Sequence, residues 1–172
     1  GKLTPPRKSD VVNFMVKAPV HRTGLPSGNW ALIDNTVDNP DVARIAGQDA
    51  LDGSATSRWT TGRALQPGDS VTLDMAAPTK VARLVLDSSL YPGDYPQGYR
   101  LDASVDGSAW TEVAHQSEQD TMSTEQHGVV TIDFPSTTAR YLRVTSVGGH
   151  GLWWSIGEIL AYDTSTMAKT DH

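Results

Sequence analysis

A chain of 172 residues with 15 glycines, 10 prolines and no cysteine has room for one turn-rich domain with a real core, and neither a disulfide scaffold nor a thiolate metal site is open to it. The formal charge of −6 provides no polycationic surface, which argues against nucleic acid or an anionic bilayer as a default partner but leaves a local basic patch open. No apolar run approaches the roughly 18 residues that span a bilayer, and Gly1-Lys2 opens without the apolar stretch of a signal peptide, as expected of a segment of a longer chain.

In chain order, Thr4 to Asp10 is polar and proline-bearing, and the apolar Val11 to Val16 is suited to an edge strand, so residues 1–23 are expected to be a linker or an edge-strand extension. The domain proper is expected over 24–162. Trp30 and Trp59 read as core. Apolar residues then recur at period two: Val71, Leu73 and Met75, then Leu84 and Leu86, then Tyr99, Leu101, Ala103 and Val105. Asp106-Gly107 supplies a hairpin turn into a strand over Trp110 to Val113, with Trp110 also expected in the core. Val129 to Phe134, Tyr141 to Val147 and Ile156 to Tyr162 complete the set, each bounded by turn residues. The pattern predicts an all-β domain of about eight short strands in two packed sheets. Residues 163–172 show no periodicity and are expected to be a tail or linker.

Catalytic signatures are missing. There is no Gly-x-Ser-x-Gly elbow, no phosphate-cradling glycine loop and no His-Glu-x-x-His pair, and His21, His115, His127, His150 and His172 are scattered without a second histidine at a ligand spacing. No catalytic residue is assigned. Most carboxylates stand beside turn glycines, where they bond their own backbone, and Asp106 is read that way.

The stretch Asp49-Ala50-Leu51-Asp52-Gly53-Ser54-Ala55-Thr56-Ser57-Arg58-Trp59 gathers two carboxylates, hydroxyls and a turn glycine ahead of a tryptophan. Such a loop offers the oxygens a hard cation needs, although an ordinary Asx turn is the alternative for the loop taken alone. It is accompanied by Trp59-Thr60-Thr61-Gly62, by Leu86 to Tyr99, by Val105-Asp106-Gly107-Ser108-Ala109-Trp110 and by Gly151-Leu152-Trp153-Trp154-Ser155-Ile156-Gly157-Glu158-Ile159-Leu160-Ala161-Tyr162. In this order these motifs resemble the discoidin, or coagulation factor 5/8 type C, family, and within it the family 32 carbohydrate-binding modules of bacterial glycoside hydrolases.

The resemblance implies an eight-stranded, jelly-roll-like β-sandwich of the galactose-binding-domain type. It implies a structural Ca²⁺ held by the Asp52 carboxylate, the Ser57 hydroxyl and carbonyl, the carbonyls of Asp49, Ser54 and Gly157, and the Glu158 carboxylate. The family often has Asp or Asn where Ser54 stands and Thr where Ser57 stands; both changes leave a usable oxygen.

A non-catalytic module that binds a glycan for a covalently linked catalytic domain is then expected, secreted or at the cell surface and monomeric. The alternative is adhesion to protein or lipid. A sugar presents an apolar C–H face and a ring of hydroxyls, so its site needs an exposed aromatic flanked by polar groups. The residues chosen on that ground are Trp153 and His150 of one loop, Tyr91, Asp94 and Tyr95 of another, and Arg63.

Overall fold

The computed structural model describes residues 24–54 and 56–168; Val11 to Val16, His21 and His172 lie outside them. The described chain forms β1 (Ala31–Asp34), α1 (Pro40–Gly47), a 3₁₀ turn (Gln48–Ala50), β2 (Trp59–Thr60), β3 (Ser70–Asp87), β4 (Tyr99–Ser104), β5 (Thr111–Gln116), α2 (Glu118–Thr124), β6 (Val129–Ser146), β7 (Ser155–Ile156), β8 (Glu158–Tyr162) and α3 (Thr164–Ala168). It is an all-β sandwich of eight antiparallel strands.

Two strands of 18 residues, β3 and β6, organise everything else. Their first pairing segment, Ser70–Asp74 against Tyr141–Thr145, is flanked by β1 on one side and by β4 then β5 on the other. The second, Arg83–Asp87 against Val129–Asp133, is flanked by β8. Between them the register shifts after Asp74 and again after Val81, and Ala76 takes a left-handed φ of 70° at the bend. The two strand pairs expected from period two are therefore two continuous strands bent across both layers.

Because alternate residues of a strand face opposite sides, one set from each layer closes on a single core: Leu73 and Leu84 of β3, Ile132 and Leu142 of β6, Leu101 of β4 and Ile159 of β8. The same alternation leaves Thr72, Asp74, Asp102, Tyr141 and Arg143 on the outer face of the five-stranded layer. Trp110, expected in the core, is half-buried and lies over this outer face, with its ring against Arg143 and Tyr141. Trp30 is partly buried against the core.

The short helices cap the layers. Asn39 accepts the Asp41 and Val42 N–H groups and so starts α1, whose Gly47 passes so close to Leu32 that an added Cβ would stand 1.8 Å from the Leu32 carbonyl oxygen. The stretch after Tyr162, expected to be a tail or linker, is helical over Thr164–Ala168. Asp163 caps it by accepting Thr166 N–H at 2.7 Å, and Met167 packs on Val85, Val129 and Tyr162.

Candidate functional site

Two two-residue strands place the residues singled out by the sequence. Trp59 pairs with Ile156 and Thr60 with Ser155, so the loop before β2 and the segment after Trp153 meet edge to edge. The buried members of this junction are Trp59 and Trp154, 1% and 0% exposed, whose rings meet edge to face with centroids 5.3 Å apart. Trp59 Nε1 donates to Asp34 Oδ2 at 2.9 Å. With Trp154 fixed inward, its neighbour points the other way, and Trp153 is 41% exposed.

Around Trp153 the polar groups are held rather than loose. Arg58, which precedes the buried Trp59 and so faces outward, lies with its guanidinium 3.9 Å from the Tyr91 ring centroid and 5.6 Å from that of Trp153. It donates from Nη1 to Ser155 Oγ at 3.1 Å and to Asp94 Oδ2 at 3.4 Å, while Ser155 Oγ donates to the same Asp94 oxygen at 2.7 Å. Tyr91 donates its hydroxyl to the Thr56 carbonyl at 3.1 Å. Arg58 is not among the residues chosen from the sequence, although the alternation Arg58-out, Trp59-in is readable there.

The remaining candidates divide. His150 accepts the Leu152 N–H on Nδ1 at 3.0 Å, which leaves Nε2 as the donor to the Tyr95 carbonyl at 2.9 Å and ties the loop of Trp153 to the loop of Tyr91. Tyr95 itself turns in against the core, and burial, followed by the neighbouring Glu125 carboxylate, pushes its phenol pKa up. Arg63 is committed elsewhere, donating to both oxygens of Asp69 at 2.8 and 2.9 Å. The structure thus gathers a rim of Tyr91, Asp94 and Trp153 around Arg58, bonds His150 to the two adjoining loops, and gives Arg63 a carboxylate partner of its own.

Of the metal candidates, Asp52 is bonded to Ser54 and Ser57, and Ser57 lies near Gly157. The β2–β7 pairing brings the loop 49–57 against Gly157, where an added Cβ would lie 3.2 Å from the Asp87 carbonyl oxygen and 3.8 Å from that of Ser57. Glu158 follows, with its Oε2 atom closed off from solvent. Asp52 accepts the Ser57 hydroxyl and, at 2.9 Å, the Ser54 N–H, and these bonds hold its carboxyl below the usual aspartate range, hence ionised. Asp49 sits in the preceding 3₁₀ turn. Among the described residues no three His, Cys, Asp or Glu side chains gather as a transition-metal cage would require. Carbonyls and hydroxyls with two carboxylates, on two segments in contact, are instead a donor set suited to a hard cation such as Ca²⁺.

Comparison with known proteins agrees with this architecture. No curated protein sequence matches the chain. Among solved structures, it is similar to a point mutant of chitosan-binding module 1 of a chitosanase/glucanase from Paenibacillus sp. IK-5, with 23% identity and a TM-score of 0.62 over 83% of this chain and 99% of that one. A family 32 module from Clostridium perfringens, CpGH89CBM32-5, solved in complex with GalNAc-β-1,3-galactose, gives 22% identity and a TM-score of 0.62 over 81% and 99%. The family 32 module of C. perfringens NanJ, in complex with galactose, gives 22% and 0.59 over 82% and 98%. These likenesses establish the fold. The sequence profile of the F5/8 type C domain matches residues 29–159, a span that includes the loop 49–57 and the segment from Trp153 to Glu158, and the chain belongs to the F5/8 type C domain family.

Proposed function

We propose that this chain is a non-catalytic glycan-binding module whose sugar stacks on Trp153. The observation that carries the reading is the exposed Trp153 ring beside the fixed pair Arg58–Asp94, a flat apolar surface flanked by a donor and an acceptor already aimed by their neighbours. Galactose in the NanJ module and GalNAc-β-1,3-galactose in CpGH89CBM32-5 support a sugar as the ligand class. A Ca²⁺ between the loop 49–57 and Gly157–Glu158 would cross-link the early and late parts of the sandwich and contribute to stability rather than to contact with the sugar. The module would serve a covalently linked catalytic domain in a larger secreted or cell-surface protein, raising the effective concentration of that domain at its glycan.

The test is a glycan array on the isolated chain in calcium, followed by titration of the best ligand into the parent and Trp153→Ala. Binding abolished in a variant that melts like the parent supports the reading. Equal binding by both overturns the assignment of the rim.

A second reading has one observation in its favour. Leu90, Leu152 and Trp153 are 55%, 51% and 41% exposed on neighbouring loops, as apolar anchors for a lipid surface would be. Cosedimentation with neutral and anionic vesicles, lost on Leu152→Asp, would favour adhesion to a bilayer over a glycan.

A further inference from the structure

On the outer face of the five-stranded layer, away from the rim, charge is arranged in two levels. Asp102 lies opposite Arg143 in the β4–β6 register, and Asp74 lies opposite Tyr141 in the β3–β6 register. The side chains of these two aspartates are only 8% and 6% exposed, because guanidinium groups lie over them. Arg100 donates from Nε to Asp102 at 2.9 Å, and Arg140 grips Asp74 from Nε and Nη2 at 2.9 and 3.3 Å. The side chains of Arg100, Arg140 and Arg143 remain 46%, 37% and 30% exposed. Carboxylates sit below and guanidinium groups above, so over the middle of the strip solvent meets guanidinium N–H groups, on a chain whose formal charge is −6.

Flat rings are interleaved with those cations. Trp110, from the β4–β5 hairpin, stacks on the Arg143 guanidinium at 4.0 Å, Tyr141 stands 6.4 Å from Trp110, and Arg140 lies 4.9 Å from Tyr141. Stacking orients the Arg143 plane without using its N–H groups, and its Nη2 stands 3.8 Å from Asp102, too far for a hydrogen bond. The guanidinium is therefore pre-oriented with donors to spare. Glu112, on the edge strand opposite Asp102, bounds the strip on one side.

We propose that this sheet face is a second ligand surface, independent of the rim, that takes an acidic polysaccharide through its carboxylate or sulfate groups. An acidic glycan carries one or two charges per sugar and offers apolar C–H faces between them, which matches guanidiniums alternating with Trp110 and Tyr141. A nucleic acid duplex or an anionic bilayer needs a wide cationic field, which the net charge of this chain opposes.

The experiment is calorimetric titration of the whole chain, in calcium and at low and high salt. The probes are a hexuronate oligosaccharide, a sulfated oligosaccharide of equal length and a neutral one. The expected result is binding of an acidic probe that weakens in high salt, falls about tenfold or more in Arg143→Gln, and is unchanged in Trp153→Ala. Preference between the two acidic probes identifies the anionic group. Arg143→Gln leaves Asp102 bonded to Arg100; should it fold poorly, Arg143→Lys, which keeps the charge and loses the planar fork, is the second variant. Binding of neither acidic probe, equal binding by the arginine variants, or loss in Trp153→Ala overturns the proposal. The last outcome would move the acidic ligand to the rim, and rim binding of a neutral glycan succeeds or fails separately.

Discussion

The paired tryptophans beneath the rim allow a matched comparison. Trp59 and Trp154 are equally buried and touch each other, but Trp59 Nε1 has the Asp34 carboxylate as acceptor while Trp154 Nε1 is buried with no acceptor among the described residues. Substituting each by Phe removes the same pyrrole atoms from the same core, at about 2–3 kcal/mol in lost transfer energy and cavity. Trp59→Phe additionally strands Oδ2 of Asp34, which is 3% exposed and keeps only its Thr36 bonds on Oδ1, adding about 1.5–3 kcal/mol. Trp154→Phe instead removes a donor that was already unsatisfied, offsetting about 1 kcal/mol of its packing loss. Trp59→Phe should therefore be the more damaging by about 3 kcal/mol, or about 10 °C in Tm for a domain of this size. Urea unfolding of both variants measures the gap through Cm at constant m. Equal losses, or a larger one for Trp154→Phe with m unchanged, would show that the Asp34 bond carries no such weight.

Chelation should lower the melting temperature by about 5–10 °C when free calcium stands about a hundredfold above its Kd, and Asp52→Asn should abolish the difference between calcium and EDTA; an unchanged melting curve with no calcium in a metal assay would remove the cation. Acid should destabilise the fold in one direction. Burial opposes ionisation of Asp69, but the Arg63 and Gln66 bonds outweigh it, and turn N–H groups of Ala109 and Ser108 act on Asp106, so both carboxyls titrate below the ordinary aspartate value of 3.8. Depressed folded values contribute stability that is fully present above that pH and is lost as pH falls through them, so Cm should be flat from neutrality to about pH 5 and drop below pH 4. Gly47→Ala drives a Cβ into the Leu32 carbonyl and should cost about 3 kcal/mol or more, read by thermal melting.

Much of the architecture was legible because period two survives in β3, β4 and β6, where one face is buried. The continuity of β3 was not legible. Ala76-Ala77-Pro78-Thr79 interrupts the alternation and reads as a break, whereas pairing resumes at Thr79 against Ala139 because β6 bends with it. Only the partner strand carries that information. β2 and β7 have two residues each, too few for any period, yet they bring the loop before β2 and the segment after Trp153 together. Trp110 has a strand context in sequence, but which face of the sheet it covers depends on Arg143, thirty-odd residues away. Tyr95 and Arg63 look like surface polar residues locally; their partners, the core and Asp69, are set by how the loops fold back.

The bent strands also bear on how the domain opens. A sandwich of two separate sheets can in principle lose one sheet and keep the other. Here the same two segments supply the centre of both, so neither layer has a hydrogen-bonded ladder it can keep while the other melts. The interior amides of β3 and β6 should form one slow-exchanging population released only by global opening, while the two-residue ladder under the rim exchanges on its own, faster schedule.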